Sequence, residues 1–157
     1  MKTKLALMAF AASIFAFGAA HAEIKISSPK SYETAEGMQV GMSGMTIENT
    51  GDVAEKLVGA TSPVCDHVEI HEMKDDNGIM KMRKVEDGLE IPAGGKLVLE
   101  SGSYHFMLMG LKEPLKAGST IGIDVDFASG EKQHVDVPVV SRMEKMDHKM
   151  NHMDHHD

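Results

Sequence analysis

The sequence is poor in the cysteines that could cross-link a small domain, and it has no excess of the basic residues that bind a polyanion. Only one of its 157 residues is a cysteine, Cys65, so no disulfide can form within the chain. Tryptophan is absent, and tyrosine and phenylalanine number only 2 and 5. The formal net charge of −8 opposes binding to nucleic acid or to anionic lipid. Stability must therefore come from an ordinary packed core, and we expect neither of those two partners.

Long apolar runs are also absent after residue 22. Lys2 and Lys4 precede an almost wholly apolar segment, residues 5–17, which is shorter than the roughly 20 residues of a membrane helix. Residues 20–22 (Ala-His-Ala) then have the pattern of a cleavage site. We expect residues 1–22 to be a signal peptide, removed from a periplasmic mature protein that has no membrane span. Loss of the two lysines and of no acidic residue changes the charge from −8 to −10.

The rest of the chain contains short runs of alternating apolar and polar residues, which predict β-strands. Turns rich in Gly, Pro, Asn and Asp separate these runs, and Asp76-Asn77-Gly78 is typical of a β-hairpin. We predict one all-β domain, residues 23–141, folded as an antiparallel β-sandwich. The clearest predicted strands are residues 45–49, 68–73, 96–100, 105–109, 120–127 and 134–139.

The composition changes at residues 142–157, which include no Gly, Pro, aromatic or β-branched residue. Such a segment buries too little apolar surface to offset the entropy of ordering it, so we expect a disordered tail. Its histidines and methionines are typical of a metal-binding tract. The tail residues expected to bind metal are Met143, Met146, His148, Met150, His152, Met153, His155 and His156.

Methionine is unusually abundant, with 14 residues in the chain. Alternate residues of a strand share a face, so donors spaced at i and i+2 point the same way. The predicted hairpin would bring two such segments alongside each other. The segments with this spacing are His71 and Met73, Met80 and Met82, and His105, Met107 and Met109.

The donor types indicate which metal these segments would bind. Thioether is soft and uncharged, so histidine and methionine without carboxylate or thiolate favour Cu(I) over Zn, Ca or Mg. Neutral ligands also leave only the single charge of the ion to be desolvated. One alternative is incidental packing, since methionine commonly fills cores. Another is a blue-copper redox centre, but this needs a Cys thiolate with two His, and Cys65 lies outside the pattern.

The arrangement His71-x10-Met82 followed by His105-x-Met107 resembles the motif of the periplasmic PCu(A)C copper chaperones. The flanking sequence is similar over about residues 24–141. The resemblance implies a cupredoxin-like Greek-key sandwich in which these four residues hold a partly exposed Cu(I). The gap between Met82 and His105 is 22 residues, one more than is usual in the family, and an extra turn residue absorbs the difference.

The same resemblance implies a function. It is the delivery of copper to the dinuclear centre in cytochrome c oxidase subunit II, often beside Sco-type proteins. We expect a monomeric chaperone that acts by ligand exchange and is not an enzyme, since no nucleophile elbow, phosphate loop or paired-carboxylate motif is recognisable. The alternative is a copper storage or resistance protein that sequesters the ion. The capacity for copper and transfer to an acceptor distinguish the two.

Further candidates lie around the main motif. Met73 and Met109 are secondary ligand candidates, and Met80 is a third. Cys65 is expected to be buried as a small hydrophobe, because an exposed thiol outside the cytoplasm is open to oxidation. The tail would form an auxiliary, looser copper site, taking Cu(I) through methionine or Cu(II) through imidazole and carboxylate.

Three more methionines, Met38, Met42 and Met45, lie before the first clear predicted strand or at its first residue. We expect them to pack in the core or in a loop, and a second methionine-rich surface is the alternative.

Overall fold

The computed structural model describes residues 19–143. Within this range, no helix has the length and apolar character needed to cross a membrane. The described part of the chain contains ten strands: β1 (Ile24–Tyr32), β2 (Val40–Asn49), β3 (Glu55–Thr61), β4 (Cys65–Asp76), β5 (Ile79–Lys84), β6 (Leu89–Ile91), β7 (Lys96–Leu99), β8 (Tyr104–Leu111), β9 (Thr120–Phe127) and β10 (Lys132–Val140).

The strands form one hydrogen-bonded series in the order β5-β4-β8-β7-β2-β1-β10-β9-β3-β6. Two neighbouring pairs are parallel, β1 with β10 and β7 with β8, and the other pairs are antiparallel. One buried core contains residues from both ends of the series, such as Phe106 of β8 and Ile123 of β9, so the sheet folds over on itself. The predicted all-β fold is confirmed.

Alternating sequence explains why these segments form strands. In β9 the apolar residues recur at every second position, and each of them is buried. The same period continues in β10, which pairs with β9 over seven residues. Because alternate side chains point to opposite faces, these two strands line one side of the core. The buried residues are Ile121, Ile123, Val125 and Phe127 in β9 and Val135, Val137 and Val139 in β10.

The predicted hairpin joins β4 to β5. Asn77 and Gly78 have positive φ angles of 56° and 84°, as the two central residues of a type I′ turn require. The backbone N–H of Gly78 also donates to Asp75 Oδ1 at 2.7 Å. The turn places β5 at one end of the strand series, where all six of its residues are exposed.

The start of β2 differs from the sequence prediction. This strand begins at Val40, five residues before the predicted start at Met45, so Met42 lies within it and its expected position before the first strand was wrong. Gly41 and Gly44 interrupt the apolar alternation, which hides the strand in the sequence. A Cβ atom on Gly44 would collide with the carbonyl oxygen of Leu99, so glycine here permits the close approach of β7.

Candidate metal centre

Strands β5, β4 and β8 are neighbours, and together they carry all the candidate ligands of the folded domain. Alternation of burial in β4 and β8 places Ile70, Phe106 and Leu108 toward the core. The intervening residues therefore point to the opposite side, which we call the His/Met face. Its members are His67, Glu69, His71 and Met73 of β4, Met80, Met82 and Lys84 of β5, and His105, Met107 and Met109 of β8.

His71 and His105 are direct partners across β4 and β8. Their ring centroids are 6.1 Å apart, and the rings are tilted by 48°. His105 is 1% exposed, and the side chain of His71 is 15% exposed. Two motif residues that lie 34 positions apart in the sequence are thus brought together by strand register alone.

Hydrogen bonds fix the tautomer of each ring. His105 Nδ1 lies 3.0 Å from the carbonyl oxygen of Ser103, which can only accept, so Nδ1 donates and Nε2 carries the lone pair. His71 Nε2 donates to Glu69 Oε2 at 2.7 Å, which leaves the lone pair on Nδ1. That Nδ1 atom is buried and has no hydrogen-bond partner within residues 19–143. A metal bound between the rings would therefore meet His71 Nδ1 and His105 Nε2.

Glu69 is a site residue that the sequence reasoning missed. Besides His71, its carboxylate contacts His67 Nε2 at 3.2 Å and Lys84 Nζ at 3.5 Å. The hydrogen bond from His71, with smaller contributions from His67 and Lys84, lowers the pKa of Glu69 to about 2. Glu69 lies two residues before His71, so the i, i+2 rule that selected the methionines would also have found it.

The two predicted thioether ligands occupy different environments. Met107 is half-buried in β8, two residues after His105 and opposite Glu69. Met82 lies on the edge strand, where it is 49% exposed and directly opposite Met73. Because His71 lies two residues before Met73 on the same strand, Met82 is the diagonal cross-strand neighbour of His71.

The remaining candidates within the described residues are divided between this face and the core. Met80 is 51% exposed and lies opposite Asp75 at the hairpin end, and Met109 lies opposite His67. Cys65 is 3% exposed, as expected, and burial raises the pKa of its thiol.

Met38, Met42 and Met45 lie in three different environments. Met45 is 1% exposed in the core, as expected. Met38 is 40% exposed, and its sulfur lies 3.1 Å from the Arg142 guanidinium. Met42 is the exception, because it lies half-buried in β2 directly opposite Met107. The sequence contained no signal for this pairing, since strand register depends on long-range contacts.

Of the predicted tail ligands only Met143 is described, and it is 79% exposed. The others lie outside the described residues: Met146, His148, Met150, His152, Met153, His155 and His156.

The donors on this face limit the chemistry it can perform. Within residues 19–143 no group of three or more His, Cys, Asp or Glu side chains is arranged to hold a metal ion. The face instead carries two imidazoles together with neutral thioethers, a donor set suited to a soft monovalent ion. Glu69 adds one negative charge beside the imidazole pair without being needed as a ligand.

Two known proteins are similar to this chain in sequence. The protein Lxx21020 of Leifsonia xyli subsp. xyli (strain CTCB07), named as a lipoprotein, is 40% identical over 117 residues, which cover 67% of this chain and 70% of that protein. The protein RP573 of Rickettsia prowazekii (strain Madrid E) is 31% identical over 96 residues, which cover 61% of this chain and 53% of that protein.

Solved structures show the same fold. The Cu(I) form of DR1885 from Deinococcus radiodurans is 30% identical, with a TM-score of 0.59 over 80% of this chain and 83% of that one. The copper-bound PCuAC domain from PmoF2 is 20% identical, with a TM-score of 0.63 over 77% of this chain and 98% of that one. The family model described as LpqE-like matches residues 24–139. The chain therefore belongs to the LpqE-like family and has the cupredoxin-like fold of PCuAC domains, as the sequence resemblance predicted.

Proposed function

We propose that this protein is a periplasmic copper chaperone that binds one Cu(I) ion through His71, Met82, His105 and Met107. The observation that carries the proposal is the pair of facing imidazoles, 6.1 Å apart, whose tautomers are fixed by Ser103 and Glu69. These hydrogen bonds hold each neutral ring in one orientation and leave its other nitrogen to bind a metal ion.

The identity of the ion follows from charge and softness. Four neutral ligands around Cu(I) leave one positive charge, and the ionised Glu69 carboxylate lies one hydrogen bond away to offset it. A divalent ion in the same site would keep twice that charge with no carboxylate ligand. Copper-bound relatives of the same fold, among them the Cu(I) form of DR1885, support this choice.

The contrast between ligands suits ligand exchange. His105 is buried and Met107 is half-buried, so these two would retain the ion. Met82 lies half-exposed on the edge strand β5, where an acceptor's donor atom can approach and replace it. No substrate bond is broken, and the ion keeps its oxidation state throughout. Met73 and Met109 flank this set and serve as secondary ligands during exchange.

We assign the acceptor, following the family resemblance, to the copper centre in cytochrome c oxidase subunit II, with Sco-type proteins as alternative partners. The copper-loaded protein is mixed with each metal-free acceptor domain, and the copper content is measured after the proteins are separated. Rapid transfer of one equivalent supports a chaperone. Several retained equivalents and no transfer would instead support storage or resistance.

The tail is proposed as an auxiliary, looser copper site that supplies the folded one. A chain ending at Ser141 should bind fewer copper ions than the full chain while retaining the tightest one. Equal copper stoichiometry for the two chains would contradict a role for the tail.

A further inference from the structure

We propose that Met42, Met107 and Met109 form a second, thioether-only site for a soft monovalent ion, next to the His71–His105 site. The inference rests on the proposed function for the identity of the cargo ion. The second site differs from the first in its donor atoms. Met42 of β2 belongs neither to the sequence motif nor to the three strands that carry that motif.

Strand register places the three methionine residues side by side. Met42 is the direct partner of Met107, and Val40 is the direct partner of Met109. Cross-strand partners point to the same side of a sheet with Cβ atoms about 4.5–5.5 Å apart. Met42 therefore borders Met107 directly and Met109 diagonally, within reach of three flexible side chains.

Burial separates Met42 from the core methionine of its own strand. Ser43 and Met45 are 0% and 1% exposed, which places the odd-numbered residues of this part of β2 toward the core. Met42 consequently points away from the core, and it is half-buried like Met107 and Met109. All three side chains are thus half-buried on the side of the sheet that carries the imidazole pair.

Contacts other than the Met42 side chain fix the position of β2. The hydroxyl of Ser43 donates to the Lys30 carbonyl at 3.0 Å and anchors β2 to β1. Gly44 allows the close approach of Leu99, so that β2 passes from β8 to β7 directly after Ser43, the residue that follows Met42. Met42 is held opposite Met107 by backbone contacts that do not depend on its side chain.

The thioether donors of this cluster favour soft monovalent metal ions. Three neutral thioethers bind Cu(I) or Ag(I) and discriminate against Zn, Ca and Mg, which prefer nitrogen, thiolate or oxygen. Met107 belongs to both sites, so an ion can pass between them by exchanging one donor at a time. The ion stays monovalent and no proton moves, so the transfer requires no oxidant or reductant.

The test uses Ag(I), which is stable to oxidation, and the full-length protein carrying ¹³C in the methionine methyl groups. Each methyl resonance is assigned by a Met→Leu variant, a change that conserves volume approximately. As Ag(I) is added, the methyls of Met42 and Met109 should shift together, and that of Met45 should stay fixed. Met42→Leu should raise the Ag(I) concentration that half-shifts Met109 about tenfold, equivalent to about 1.4 kcal/mol.

A His71→Gln and His105→Gln double variant separates the two sites. In this protein the Met42 and Met109 methyls should still shift, and the unshifted Met45 resonance reports that the core remains folded. His71→Gln alone, with the buried ring intact, repeats the test with less risk to folding.

Two results would overturn the inference. One is a static Met42 methyl while Met82 and Met107 shift, which would leave the proposed copper site intact. The other is a Met42 shift that disappears in the histidine variants, because it would then be a secondary response to the first site. If Met82 and Met107 also failed to shift, the proposed function would fail with it.

Discussion

Replacement of Glu69 by glutamine tests whether this carboxylate prepares His71 for copper. Glu69 Oε2 accepts a hydrogen bond from His71 Nε2 at 2.7 Å, which keeps the lone pair on Nδ1. Glutamine can still accept that hydrogen bond, but it removes the negative charge beside the bound ion. Leucine at the same position removes both the charge and the hydrogen bond.

The expected losses differ between the two variants. Residues that orient a metal-ligating histidine typically change metal affinity about 10–100-fold when replaced. The side chain of Glu69 is 18% exposed, so water partly screens its charge. We therefore expect Glu69→Gln to weaken Cu(I) binding about tenfold and Glu69→Leu to approach a hundredfold loss, at the two ends of that range.

Affinity is measured by competition with a chromophoric Cu(I) chelator under reducing conditions. Glu72→Gln is the matched control, because Glu72 lies on the same strand but on the opposite face, where it accepts a hydrogen bond from Tyr104 at 3.3 Å. Unchanged affinity in both Glu69 variants would refute the reasoning. An equal loss in Glu72→Gln would also refute it, since the effect would then be one of general charge.

Three further outcomes test the fold and its titrations. Asn49→Ala should destabilise the protein by about 1–3 kcal/mol in urea unfolding, because the buried amide donates to the Ile91 carbonyl and its loss leaves buried groups unsatisfied. The pKa of His134, followed by NMR, should lie above 6.5 because its ring bonds to Asp124, and should fall in Asp124→Asn. The small stabilisation from this contact should be present below pH 6.5 and be lost as pH rises through the raised pKa. The Cys65 thiol should react slowly with alkylating reagents in the folded protein and rapidly after unfolding, since it is buried with a raised pKa.

Local features of the fold were predictable from the sequence because their causes are local. Asn77 and Gly78 supply the positive φ angles of the hairpin, and alternation marks β8 and β9. The shared orientation of His105 and Met107 follows from the same period of two residues. The parallel pairing of β1 with β10 could not be predicted from the sequence, because it joins segments more than 100 residues apart in the chain.

Cross-strand neighbours were harder to predict than residues on a single strand. The opposition of His71 and His105 depends on the register between β4 and β8, which the family motif implied but the spacing alone could not give. Met42 was expected in the core or in a loop, with a second methionine-rich surface as the alternative. Two glycines interrupt its strand, so the alternation that marks β8 and β9 is missing there. Sequence periodicity gives the face of a residue, whereas the partner across the strand depends on how distant segments pack.

The central claim is that the facing imidazoles anchor the copper ion, and one Cu(I) competition titration tests it most directly. The titration compares the wild type with His105→Ala, with His71→Ala and with His134→Ala, in which an exposed histidine of β10 is removed. We expect either site variant to lose the tightest equivalent of copper and the His134 variant to retain it. Retention of that equivalent in both site variants, with circular dichroism unchanged, would contradict the account.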